Sequence, residues 1–188
     1  MRKSQLYAGL LAPIVAFLGI GVAVHINRSW WRLTENAISD LGKLGLPHNW
    51  VLNISLIATA VLGVYYATGL LERAKNGIER AGIWTFIIGL VFLATIGLFP
   101  EGTAPHYYVS WAFFITAGLG VLITGLGALT SGDRAFGWFS VILFLTGWVL
   151  ATWARGHFRG VAVAELIGAV TISIWHYTLL LLVAKDVQ

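Results

Sequence analysis

Cysteine is absent from the 188-residue chain, which excludes disulfides, thiolate metal sites, cysteine nucleophiles and S-palmitoylation together. Charge is scarce as well: Asp, Glu, Lys and Arg make up 11% of the residues, against roughly a quarter in an ordinary soluble domain. No Walker loop, dinucleotide fingerprint, zinc-protease helix or nucleophile elbow occurs, so soluble nucleotide chemistry is not expected. No Pro/Ser-rich or charge-rich linker interrupts the chain, and residues 1–188 read as a single integral membrane domain.

Apolar residues are what the chain has in abundance, at 58% of the total with a mean hydropathy of +0.81. They gather into six runs, near Tyr7 to Ile26, Trp50 to Leu70, Gly82 to Leu98, Val109 to Leu129, Phe136 to Ala154 and Val161 to Ala184. A bilayer core of roughly 30 Å takes about 20 residues of helix to cross. The runs are continuously apolar rather than alternating, which favours helices over barrel strands. The expected fold is therefore all-α, a polytopic six-transmembrane-helix bundle. The opening MRKSQ and the apolar stretch behind it resemble a secretory signal in layout, but no small-residue cleavage site follows, so the stretch is read as the first span. Small residues inside the spans, such as Gly19 with Ala23 and the series Gly118, Gly120, Gly125 and Gly127, are expected to let helices pack closely.

The 12 Lys and Arg outnumber the 8 Asp and Glu, yet they are scattered over short loops rather than gathered in a stripe, so no nucleic-acid partner is expected. They report topology instead. Arg2, Lys3, Arg73, Lys75, Arg80, Arg134 and Lys185 fall on the side of the termini, and Arg28, Arg32, Lys43, Arg155 and Arg159 on the other. The positive-inside rule then places both termini in the cytoplasm of a multi-pass cell-membrane protein.

In that arrangement the first, third and fifth connections share the outer face. They bring His25, His48, His106 and His157 to one surface with Asn36, Ser39, Asp40, Glu101, Arg155 and Arg159. The first connection is long enough for a short interfacial helix, capped by Thr34 and stopped at Gly42 or Gly45. On such a helix Asn36 and Asp40 share a face, while Leu33, Ile38 and Leu41 meet the bundle or lipid. Trp30 and Trp31 read as interfacial anchors, as do Tyr107 and Tyr108. A histidine at His106, after two prolines, suits proton transfer, with Asp40 to orient it and Ser39 as a conceivable hydroxyl nucleophile. Arg155 and Arg159, flanking His157, suit an anionic headgroup. The alternatives are bland: an Asp40–Lys43 surface pair, an interfacial His106, and arginines that only anchor helix ends.

Glu165, about one turn into the sixth span, and His176, eleven residues on, fall on nearly the same helix face and should point into the bundle. Glu165 could pair with Arg155 or Arg159, and His176 reads as a histidine hydrogen-bonded inside the bundle. No cofactor is specified: haem would require a second histidine at the depth of His176, and a metal site from His25, His106, His157 and a carboxylate lacks diagnostic spacing.

The segment NAISDLG, followed by FP, His106 and the AFF of Ala112 to Phe114, resembles the uncharacterised, largely archaeal family numbered 998 among domains of unknown function. It is more distantly similar to the Frag1/DRAM/Sfk1 superfamily. Ile38, Ser39, Asp40, Gly42 and His106 carry the resemblance, and Leu41 departs from the polar residue usual in the eukaryotic pattern. The resemblance implies six spans and a role in remodelling or organising membrane lipids. The combined expectation is a lipid-handling membrane protein, with Asp40 and His106 as catalytic candidates. Asn36, Ser39, Glu101, Arg155, His157, Arg159 and Glu165 are the ligand-binding candidates, and membrane lipids the partners. A non-catalytic subunit of a larger membrane complex, a homo-oligomer, and a small transporter or metal- or haem-binding protein are the alternatives.

Overall fold

The computed structural model describes residues 1–185, so the single-domain reading of residues 186–188 lies outside the described residues. Six helices make up most of it: α1 (Lys3–Ile26), α2 (Trp50–Leu71), α3 (Gly77–Leu98), α4 (His106–Thr130), α5 (Arg134–His157) and α6 (Ala162–Ala184). Each is long and apolar enough to cross a membrane. The shortest has 22 residues, about 33 Å at 1.5 Å per residue, and a bilayer core measures roughly 30 Å. Helices α3 and α5 begin before their apolar runs because polar caps are available there. Asn76 accepts the Glu79 amide at 2.8 Å and Asp133 the Phe136 amide at 3.3 Å, satisfying N–H groups that the first helical turn leaves open.

Helices adjacent in sequence are adjacent in space, α1 and α6 close the ring, and α6 also reaches across to α4. The first, third and fifth connections meet at one end of this ring. The Leu44 amide donates to the Glu101 carbonyl at 2.8 Å, and the Gly160 amide to the Thr34 carbonyl at 2.9 Å.

The long first connection differs from its expected form. The carbonyls of Thr34 and Asn36 accept from the amides of Gly160 and Ala162 at 2.9 Å each, so they are not available to a helix starting at Thr34. Only Ser39–Gly42 coils, as one 3₁₀ turn ending at the expected Gly42. Gly160 permits the approach, since a Cβ there would overlap the backbone of Glu35 and Asn36. Trp31 is buried rather than interfacial: its indole N–H donates to the Ala37 carbonyl at 2.8 Å, and it packs with Ile38, Leu41, Leu52 and Ala162 under the connection. Trp30, Leu33, Tyr107 and Tyr108 are exposed.

Tight packing centres on α3 and α4. A Cβ on Gly89 would lie 2.7 Å from the Ala117 nitrogen, and one on Gly120 2.7 Å from the Phe86 nitrogen. In lipid, where helix association gains little from the hydrophobic effect, such close approach is what supplies dispersion contacts. Around this seam the core is aromatic, with Phe86 edge-on to Trp175 at 5.0 Å and Tyr66 against His176 at 4.6 Å.

Helix α1 contains Pro13, which has no N–H to offer the Gly9 carbonyl one turn back. His176 of α6 fills the vacancy, its Nε2 donating to Gly9 O at 2.7 Å, and the Tyr177 hydroxyl donates to Leu10 O at 3.1 Å beside it. The histidine expected to be hydrogen-bonded inside the bundle thus closes the ring of helices at the carbonyl that proline orphans.

Two outcomes follow from this packing. Gly120→Val should force α3 from α4 and cost roughly 1–3 kcal/mol or more. Gly21→Ala, where nothing lies within 4 Å, should be neutral within about 0.5 kcal/mol; thermal loss of the monodisperse detergent-solubilised protein reads both. In a double-mutant cycle, His176→Leu should destabilise the wild type more than it does Pro13→Ala, whose restored amide serves Gly9. The coupling should be on the order of 0.5–1.5 kcal/mol, and strict additivity would contradict the assignment.

Candidate functional site

The end of the ring where the three connections meet opens into a cleft of about 400 Å³ between α4, α5 and α6, inside the roughly 300–1,000 Å³ typical of small-molecule sites. Its composition changes along its length. Glu101, His106, Ser110, Arg155 and Glu165 are at the end near the connections, whereas Val121, Phe144, Trp148 and Ile172 line the part reaching into the bundle. A second cavity of about 120 Å³ adjoins it at Ser39, Ser110 and Glu165 and continues inward to His176.

His106 is the most constrained polar group. It begins α4, is buried, and has its Nδ1 2.9 Å from the Phe99 carbonyl. A carbonyl can only accept, so Nδ1 carries the hydrogen and Nε2 is left to face the cleft. Nε2 lies 3.1 Å from Glu101 Oε2 and 3.3 Å from Ser110 Oγ. The neighbour of His106 is therefore Glu101 rather than Asp40. Asp40 accepts the Ala37 amide at 2.8 Å and sits 3.4 Å from the Asn36 amide nitrogen, closing the turn that starts the 3₁₀ segment. The carboxylate three residues ahead of its own amide partner is drawn into local backbone bonding, which is why it does not orient the imidazole.

Glu165 lines both cavities, and its Oε2 accepts the Ile38 amide at 2.6 Å. It makes no ion pair with Arg155 or Arg159; instead it satisfies a backbone N–H that the connection would otherwise bury without a partner. It continues the two backbone bonds from Gly160 and Ala162, so that the stretch from Thr34 to Ile38 is fastened to the start of α6 at three points. Asp40 and Glu101 both lie within electrostatic range of it.

The arginines separate. Arg155 faces the cleft with its guanidinium carbon 5.0 Å from the centre of the Trp111 ring, joining α5 to α4 at the mouth, a contact worth roughly 0.5–1 kcal/mol at exposed sites. His157 stacks on Trp153 at 4.8 Å on another face. Phe158 is extended and ends α5, so Arg159 no longer follows the helical face of Arg155. Of the sequence candidates, Ser39, Glu101, His106, Arg155 and Glu165 line the cleft, whereas Asn36, Asp40, His157 and Arg159 do not. Among the described residues no three His, Asp or Glu side chains gather into a metal-binding group, so His25, His106 and His157 form no shared site.

The family model for a protein of unknown function, DUF998, matches residues 10–182, from within α1 to within α6. The chain belongs to the DUF998 family. No curated protein and no solved structure matches it. This DUF998 chain is thus a multi-pass membrane protein whose candidate chemistry has to be read from its own cleft.

Ser110 and Trp111 are among the cleft residues that the sequence reading did not single out. Ser110 is four residues after His106 and so shares its helix face, a signal that was available. Trp111, beside it, is recognisable only once α5 is seen to bring Arg155 over its ring.

Removing the acceptor with Glu165→Ala should free the Ile38 amide, cost about 1–3 kcal/mol, and speed deuterium uptake in a peptide covering residues 34–42. Glu165→Gln retains an acceptor oxygen and should restore most of the protection. Unchanged uptake in Glu165→Ala would mean that the carboxylate does not hold the connection.

Proposed function

We propose that this protein is a lipid-handling membrane protein that takes a single amphiphile into the cleft between α4, α5 and α6. The observation that carries the reading is the cleft's gradient, with ionisable groups at the mouth and aromatic and aliphatic side chains further in, which matches a molecule having a polar head and an apolar tail. An anionic group on the head would meet Arg155, whose fork of donors suits phosphate or carboxylate. Hydroxyl or ammonium donors of the same head would meet Glu101 and Glu165. The small residues Gly118, Ala151 and Gly168 leave room for the tail.

In this reading residues 1–188 act as one membrane domain in the cell membrane, both termini are cytoplasmic, and the cleft opens at the outer leaflet, as the distribution of Lys and Arg suggests. Membrane lipids are its partners.

Native mass spectrometry of the protein released from mild detergent should show one bound lipid per chain. Ala151→Trp, which fills the apolar part, and Arg155→Ala, which removes the cation at the mouth, should each lower lipid occupancy about tenfold or more while the protein stays monodisperse. A wild type that carries no lipid and emerges instead with a stoichiometric protein partner would overturn the reading in favour of an accessory subunit of a larger complex.

A further inference from the structure

The serines and threonines of the helices mostly follow one habit. Ser55, Thr116, Thr124, Ser140, Thr171 and Ser173 all donate to a carbonyl one turn back, the usual way to satisfy a hydroxyl in an apolar bundle. Ser110 departs from it. Its Oγ is directed at His106 Nε2, 3.3 Å away, and it lines both cavities where they join. The imidazole is held from behind by the Phe99 carbonyl at 2.9 Å, which puts its hydrogen on Nδ1. Nε2 stands between Ser110 Oγ and the Glu101 carboxylate, and its lone pair is free for the hydroxyl when the partly exposed Glu101 side chain turns to solvent. A hydroxyl, a base within reach, and a third group orienting the base are the parts of an activated nucleophile. Here a backbone carbonyl stands where a carboxylate more often does.

We propose that Ser110 and His106 form a nucleophile–base dyad that cleaves a carboxylic ester in the amphiphile held by the cleft. This rests on the lipid-binding reading above. Ser110 Oγ adds to the ester carbonyl carbon, its proton passes to Nε2, and the carbonyl electron pair moves onto oxygen. Glu101, 3.1 Å from Nε2, stabilises the imidazolium that forms, and Arg155 is the cation lining the same cleft that faces the developing oxyanion. Collapse re-forms the carbonyl, breaks the bond to the alkoxy oxygen, and returns the Nε2 proton to the departing alcohol. Water then adds to the acyl-serine by the same route, releasing the fatty acid and restoring Ser110.

The test is covalent labelling of the full-length protein in lipid nanodiscs with a long-chain alkyl fluorophosphonate, followed by intact-mass and peptide analysis. One adduct on Ser110 is expected in the wild type, and none in S110A. H106N, which keeps an amide donor for the Phe99 carbonyl but lacks Nε2, should label at least about 100-fold more slowly, the scale of a lost general base. An unlabelled wild type, labelling at Ser39, or an undiminished rate in H106N would each overturn the dyad. Native mass spectrometry on the same samples separates the two proposals: lipid bound without labelling sinks the dyad alone, and labelling without bound lipid sinks the binding reading alone.

Discussion

The carboxylate of Glu165 settles how the polar end of this bundle is built. The connection after α1 must cross the ring, and in doing so it buries backbone N–H and C=O groups that no regular ladder reaches. The carbonyls of Thr34 and Asn36 accept from the amides of Gly160 and Ala162; the Ile38 N–H faces the first turn of α6, which has donors rather than carbonyls to spare, and Glu165 supplies the acceptor. Ser39 is thereby placed at the junction of the two cavities, and Ile38 and Leu41 are pressed onto Leu52 and Ala162. The roof of the cleft exists because one ionisable side chain inside a span answers one backbone amide.

The same requirement explains a second link made by α6, about three turns further along the helix. Proline in a helix interior ordinarily costs a hydrogen bond, and in lipid the freed carbonyl has no solvent to turn to. His176 meets it from a neighbouring helix, which converts a local defect in α1 into a contact between α1 and α6. Glycine contacts pack α3 tightly on α4 in one half of the molecule, while α5 and α6 expose more of their surface and enclose the cleft on the other half.

The six spans were legible because a bilayer imposes length and apolarity on every crossing, and the grouping of alternate connections followed from the even alternation of spans. The helix ends at Gly77 and Arg134 were harder to place, since Asn76 and Asp133 extend the helices past their apolar runs. The site was legible by residue type and less so by partner. Glu101, His106, Arg155 and Glu165 do gather, but Asp40 turns back to Ala37, and Arg159 leaves the face of Arg155 once Phe158 becomes extended. Trp31 shows the same limit: composition marks a tryptophan near the headgroups, whereas only the folded connection reveals an indole donating inward to Ala37. Such choices depend on which backbone carbonyls and amides are already engaged, and that is a property of the closed ring rather than of any single segment.

Both cavities take part of their wall from α6, made after the other five helices. During synthesis the first five spans can insert as successive hairpins, each pairing with the one before, but they cannot enclose the cleft among themselves. Until α6 arrives, the Gly9 carbonyl and the Ile38 amide also lack their partners. The enclosed space therefore comes into being only when α6 joins the other five helices, and a copy still short of α6 has the seam of α3 and α4 but no cleft.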